Sequence, residues 1–232
     1  MVGHIDSIET LGLVDGPGIR VVVFLQGCPL RCLFCHNPET WALNDKFLIT
    51  PDELVRHIYK YRNYFGTDGG VTFSGGEPLF QHDFLLECLK LCKKMGINTC
   101  LDTAGSCRGY EDILEYVDLV IWDVKALEKD AYYKMTGQNI DISLDFLKYC
   151  QDKNIKMWIR QVIVPGINDS VDYMSKLKSF IKPLNNVEKV ELLPYHLLGV
   201  SKYKQLGIPY RLDGVPAMDK EKCDELYKVL MS

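Results

Sequence analysis

The sequence predicts an α/β protein, a single domain over residues 1–232 folded as an open, partial barrel of six β/α units. Three observations point there. Six short segments are rich in Val, Ile, Leu and aromatics and bounded by turn residues, and between them run segments with helical periodicity. The strands are too apolar to be half-exposed, which implies a parallel sheet covered by helices. The unusual polar residues cluster just after the strands, at the edge where parallel β/α folds bind ligands. Six units are too few for a closed eight-stranded barrel, and a doubly wound flat sheet is the other arrangement that this alternation allows.

In chain order, strands are expected at 19–26 (IRVVVFLQ), 70–74 (GVTFS), 97–102 (INTCLD), 118–123 (DLVIWD), 155–164 (IKMWIRQVIV) and 187–193 (VEKVELL). The clearest helix opens at Thr50-Pro51-Asp52-Glu53, a capping box with proline at the first helical position. Its apolar Leu54, Ile58, Tyr61 and Phe65 recur every three or four residues, so the helix is expected to run to about Phe65 with one buried face. The same reasoning places helices near 82–95, 109–117, 128–135, 142–153, 169–182 and 219–231. A short N-terminal lead-in and a C-terminal helix complete the domain.

Composition excludes several classes. With 27 Lys+Arg against 31 Asp+Glu the net charge is −4, which argues against a nucleic-acid partner. Apolar residues at 47% and charged residues at 25% are those of a globular chain, not a disordered one. The longest apolar runs, such as Val21 to Leu25, are far too short to cross a membrane, and the N-terminus lacks a charged leader followed by an apolar stretch. A cytoplasmic protein with no membrane partner is expected.

Nine cysteines without a secretory leader do not read as a disulfide framework. Three of them, Cys28-x3-Cys32-x2-Cys35, follow the first predicted strand within eight residues, on a loop made polar by Arg31 and Asn37. A cubane iron–sulfur cluster normally takes four cysteines. Three would leave one iron open to a substrate, and Cys88 lies far downstream in a predicted helix. The rival reading, a structural zinc site completed by His36, requires ligation by the adjacent Cys35 and His36, which is awkward for tetrahedral closure. Cys88, Cys92, Cys100 and Cys107 are scattered over three elements and read as core residues, not as a second cluster.

The motif, with Phe34 before its last cysteine, resembles the signature of the radical S-adenosylmethionine (SAM) superfamily. The likeness extends to the activating enzymes of glycyl radical enzymes. It runs through DGPGIR (15–20), FLQGCPLRCLFCHNPETW (24–41), SGGEP (74–78), TCLDTAG (99–105), DVK (123–125), WIRQVIVPG (158–166), VEKVELLPYH (187–196) and LDGV (212–215), nearly end to end. The resemblance implies a barrel of the radical SAM type, one [4Fe–4S] cluster per chain on Cys28, Cys32 and Cys35, and SAM as cofactor. It further implies a reduced flavodoxin- or ferredoxin-type electron donor, and pyruvate formate-lyase as the protein substrate on which a backbone glycyl radical is made. No cysteine-rich insert occupies residues 37–73, as it does in many activases of other glycyl radical enzymes, and the chain continues past residue 155, where shorter ones end.

The cofactor's amino and carboxylate groups would chelate the open iron. By resemblance, Phe34 and His36 flank the adenine, Asp123, Val124 and Lys125 hold the ribose and carboxylate side, and Cys35 and His196 touch the cofactor as well. Gly75 and Gly76 allow close backbone approach, with Glu77 as a charged acceptor beside them. A side chain at Gly76 is therefore expected to obstruct the cofactor while leaving the iron ligands alone. Asp102, Thr103 and Asp123 are implied to bind a monovalent cation, although helix capping explains Asp102 and Thr103 about as well. Arg160, odd inside a buried strand, is expected to point into the barrel towards the cofactor or the substrate backbone. Asp15 is a candidate at the substrate entrance, and Gly-Pro-Gly beside it could be only a turn. A small-molecule radical enzyme and a zinc-bound scaffold protein are the alternatives from other classes.

Overall fold

In the computed structural model, which describes residues 1–232, the six expected strands form β2 (Arg20–Leu25), β4 (Gly70–Gly75), β5 (Asn98–Thr103), β6 (Leu119–Asp123), β7 (Met157–Ile163) and β8 (Val187–Pro194). All six are parallel and lie side by side in chain order. A doubly wound sheet would reverse strand order at a switch point. This one never does, so the barrel-like arrangement is the correct one, and its two end strands do not pair.

Two strands were not legible in the sequence. The lead-in is β1 (Gly3–Gly12), antiparallel to β2, and β3 (Leu48–Ile49) pairs with its outer edge. Register shifts between Ile5 and Ser7 and between Glu9 and Gly12 break the alternation that would have announced β1. β3 is only two residues long.

The helices are α1 (Pro51–Tyr59), α2 (His82–Lys94), α3 (Glu111–Leu114), α4 (Lys129–Thr136), α5 (Asp141–Asp152), α6 (Val171–Ile181), α7 (Val200–Leu206) and α8 (Lys220–Met231). The capping box opens α1 as expected, with Glu53 accepting from the Thr50 amide at 3.0 Å. That helix stops at Tyr59, not Phe65. The chain tightens to three-residue spacing, Tyr61 N–H bonding Ile58 and Tyr64 N–H bonding Tyr61, before Gly66 turns it at φ 58°. α7, seven residues long, was not expected. The main core is a cluster of 42 buried residues drawn from Ile5 to Leu230, with two clusters of three beside it, Cys100, Leu119 and Ile121, and Ala126, Tyr132 and Ile140. It leaves the carboxyl ends of the strands free to line a cavity. No helix is long and apolar enough to cross a membrane.

Candidate active site at the carboxyl edge of the sheet

A cavity of about 320 Å³ opens at that edge, within the size range of small-molecule sites. Its wall contains Asp15, Cys28, Cys32, Phe34, Cys35, His36, Gly75, Gly76, Glu77, Asp102, Thr103, Asp123, Lys125 and Arg160. Those are all the residues singled out in the sequence except Val124 and His196. The Val124 side chain is buried in the core, because alternation along the chain turns it away from its neighbours, and only its backbone reaches the edge, donating to Arg160 O at 2.8 Å. His196 lies outside the wall, stacked on His36 with ring centroids 3.7 Å apart.

The cysteine loop is pinned from three sides. Arg31 and Leu33 amides donate to the last carbonyls of α4, Thr136 at 2.7 Å and Met135 at 2.9 Å. The Arg31 guanidinium reaches back to Cys28 O at 2.7 Å and stacks over Trp41 at 4.8 Å. From the C-terminal side, Tyr203 on α7 donates to Cys35 O at 3.0 Å, and Lys202 bonds Asn37 at 2.8 Å and pairs with Glu39. The Trp41 carbonyl accepts from the Cys28 amide at 3.2 Å. Burial pushes all three thiols up, Cys32 to about 11 against the pull of Lys125. No three His, Cys, Asp or Glu side chains close round one point as a single metal ion would require. Three half-buried thiols lining one cavity are the ligand type and number that hold a four-iron cluster with one iron left open. Cys88, Cys92, Cys100, Cys150 and Cys223 are buried, and Cys107 packs half-exposed against the core.

Opposite the thiols, the Gly75–Gly76 turn needs glycine for its own packing. Gly75 has φ +112°, and a Cβ there would lie 2.4 Å from the Leu25 nitrogen. At Gly76 a Cβ would lie 2.5 Å from Gly27 O. The expectation that only the cofactor would feel a side chain at Gly76 is thus corrected. Glu77 differs too. Its buried carboxylate accepts from Thr103 Oγ1, the Ser106 hydroxyl at 3.0 Å, the Ala104 amide at 3.2 Å and the Leu79 amide at 3.3 Å. It clasps the β4 turn to the loop after β5, and burial raises its pKa despite those donors. Thr103 Oγ1 donates to Glu77 and accepts from the Gly105 amide at 2.8 Å, which keeps one lone pair of its hydroxyl unused.

The remaining wall is a charge network. Lys125 bonds Asp123 at 2.8 Å and lies over the Phe34 ring at 5.5 Å. Burial alone would lower its pKa, but Asp123, Cys32 and Asp102 reverse that and keep it charged. Asp102 is pushed up to about 6, first by burial and then by Asp123, against the pull of Arg160. Its Oδ2 accepts from Ser74 at 2.8 Å, while its buried Oδ1 has no partner. A buried orphan oxygen beside a second carboxylate is donor chemistry that fits a hard cation. Arg160 does point into the barrel, with Nη1 3.6 Å from Asp102 and Nη2 2.8 Å from Val14 O. Asp15 also lines the cavity, and burial raises its pKa more than Arg160 lowers it. Sequence reasoning missed Ser74, Trp41 and Glu191 as parts of the site. All three sit inside segments already noted, but nothing in the spacing of β8 sets Glu191 apart from its charged neighbours Glu188 and Lys189.

The profile of the radical SAM superfamily matches residues 22–177, well over half of the chain. Fold and cavity together thus define a radical SAM protein, and this class carries the [4Fe–4S] cluster and SAM that the thiols and the opposing turn are suited to hold. Over 99% of its length the chain is 51% identical to the pyruvate formate-lyase-activating enzyme of Clostridium pasteurianum, covering 98% of that protein. It is 45% identical to the enzyme of that name from Staphylococcus epidermidis, over 97% of this chain and 94% of the relative. The chain belongs to the pyruvate formate-lyase-activating enzyme family of the radical SAM superfamily. Among solved structures, a domain of a pyruvate-formate lyase-activating enzyme from Bacteroides vulgatus matches with TM-score 0.57 at 22% identity, covering 70% of this chain and 93% of that one. Streptococcus suis SuiB bound to its precursor peptide SuiA matches with TM-score 0.67 at 18% identity, covering 89% of this chain and 44% of that one. At such identities both speak for the fold alone.

Proposed function

We propose that this protein activates pyruvate formate-lyase under anaerobic conditions by generating a glycyl radical on its backbone. One observation carries the reading: three thiols, a double-glycine turn and an Asp–Lys pair line one cavity, in a chain related end to end to enzymes of that activity. Cys28, Cys32 and Cys35 would hold the cluster, and binding requires their thiols to lose protons. When bound and reduced, the cluster supplies the electron that splits SAM into methionine and a 5′-deoxyadenosyl radical.

The chain's own residues then bind, orient and exclude. Phe34 and His36 offer flat faces to the adenine, and the Nε2–H of His36 is committed to the His196 carbonyl at 3.0 Å, which fixes the ring. Lys125 and Asp123 present opposite charges to the ribose and carboxylate side, and Asp102, Thr103 and Asp123 offer oxygens to a monovalent cation. His196 contributes through its stack on His36. Arg160 and Asp15, at the mouth, offer a donor and an acceptor to a peptide backbone. A primary radical attacks most C–H bonds, so selectivity for a glycine α-carbon must come from such positioning. The open side of the sheet leaves room for a peptide loop. We take the whole chain as one radical SAM domain acting in the cytoplasm with a flavodoxin- or ferredoxin-type donor and no nucleic acid or membrane.

The test is electron paramagnetic resonance of the anaerobically reconstituted protein with reductant, SAM and pyruvate formate-lyase. A stable doublet from one α-hydrogen supports the reading, and accumulation of 5′-deoxyadenosine with no protein radical overturns the substrate assignment.

A further inference from the structure

Arg160 and Glu191 are register partners on the adjacent strands β7 and β8. Glu191 Oε2 accepts from Arg160 Nε at 3.2 Å and from Nη2 at 3.1 Å. The second hydrogen of Nη2 goes to the carbonyl of Val14 at 2.8 Å, and Nη1 faces Asp102 at 3.6 Å. The other oxygen of Glu191 is held by Lys189 at 2.6 Å, and Lys189 lies over the Trp158 ring at 4.3 Å. A chain of contacts therefore runs along the inner face of the sheet, from Trp158 and Lys189 to the segment that carries Asp15 into the cavity.

That segment has little else to hold it. Leu13 and Val14 are 71% and 73% exposed, and behind them Thr72 Oγ1 bonds Asp15 O while Arg20 bonds Pro17 O at 3.0 Å. Arg160 has two ways to satisfy its charge. Asp102 and Asp123 draw the guanidinium deeper into the barrel, and Glu191 draws it sideways. Only with Glu191 holding the Nε–Nη2 edge does the spare Nη2 hydrogen face Val14.

We propose that Glu191 is a positioning residue for the peptide site: it orients Arg160 so that the 13–15 segment stays folded over the cavity mouth and Asp15 faces the incoming backbone. Its absence leaves Arg160 with the two aspartates, and the segment loosens. The kinetic consequence rests on the function proposed above, whereas the loosening does not.

The experiment has two arms, on Glu191→Ala and on the isosteric Glu191→Gln. Cleavage by thermolysin at residues 13–15, read by mass spectrometry on the protein with and without its cluster, is expected to quicken about tenfold in Glu191→Ala, the scale of one lost charge-assisted hydrogen bond, and less in Glu191→Gln. Cleavage within β7 and β8 stays as in the parent. In the reconstituted enzyme the KM for pyruvate formate-lyase is expected to rise about tenfold in Glu191→Ala with kcat within about twofold, and Glu191→Gln recovers part of the loss. Unchanged cleavage at 13–15, or a rise that extends through β7 and β8, overturns the positioning role. A fall in kcat at constant KM overturns its link to the peptide. If cleavage behaves as expected but pyruvate formate-lyase is not a substrate, the fault lies with the functional reading and not with Glu191.

Discussion

Gly76 lies so close to Gly27 that a Cβ on the first would sit 2.5 Å from the carbonyl oxygen of the second. Gly27 immediately precedes Cys28, and the Glu77 amide donates to that same carbonyl at 2.8 Å. The double-glycine turn and the cysteine loop are therefore packed as one unit. Gly76→Val is expected to lose iron together with SAM binding, to less than about half of the parent's iron content, because the displaced Gly27 moves the first ligand. Iron analysis after reconstitution checks this; full iron with weakened SAM binding would show the two motifs to be independent.

The cluster ligands divide the cysteines sharply. Cys28→Ala, Cys32→Ala and Cys35→Ala should each abolish the visible absorbance of the cluster. Cys88→Ala and Cys107→Ala should retain it, with Cys88→Ala costing about 1 kcal/mol of stability for its small buried void. Iron and sulfide content per chain decide it. A cluster surviving Cys32→Ala, or eight irons per chain, contradicts the ligand assignment.

Much of this site was legible because each motif sits where a parallel strand ends. Strand order alone then brings Cys28, Gly76, Asp102, Asp123 and Arg160 to one edge. What was not legible depends on geometry that sequence spacing does not carry. β1 was hidden by its bulges, and α7 by its length. Glu77 could be read as a charged group near the cofactor, but its hydrogen bonds to Thr103, Ala104 and Ser106 come from a loop almost thirty residues on, and only the fold brings that loop over it. Glu191 looked like one more charged residue in an alternating strand until its register against Arg160 was known. The loss of His196 from the cavity wall has a similar origin. The turn after β8 packs Gly199 against the His36 backbone, where a Cβ would lie 2.7 Å from its Cα, and this places His196 behind His36 instead of beside the cavity.

The entrance segment depends on a buried cation. Arg20 is fully buried and donates to Thr72 Oγ1 at 2.7 Å, Val71 O at 2.8 Å, Asn98 Oδ1 at 2.9 Å, and Pro17 O and Asp68 O at 3.0 Å. Arg20→Met should destabilise the fold by about 3 kcal/mol or more, since these acceptors lose a charged donor without gaining water. Urea unfolding measures it, and a loss below about 1 kcal/mol would mean the network relaxes.

The raised thiols have a chemical signature before any iron is added. Burial holds Cys32 protonated until about pH 11, above the range of an ordinary free thiol, and proton loss exposes the nucleophile. Its alkylation by iodoacetamide in the iron-free protein should climb about tenfold per unit from about pH 8 to about pH 10, where an unperturbed thiol levels off. Mass spectrometry of the Cys32 peptide follows the rate. A plateau by about pH 9 would mean that the thiol is not desolvated.

The central claim, that the radical is passed to a glycine of pyruvate formate-lyase, is tested most directly by isotope transfer. Pyruvate formate-lyase is prepared with glycine deuterated at the α-carbon and activated anaerobically, in ordinary water, by this protein with SAM and reductant. The 5′-deoxyadenosine formed is then weighed by mass spectrometry. The account predicts one deuterium per molecule in an amount matching the glycyl radical produced. Product formed in the same amount but free of deuterium would contradict it.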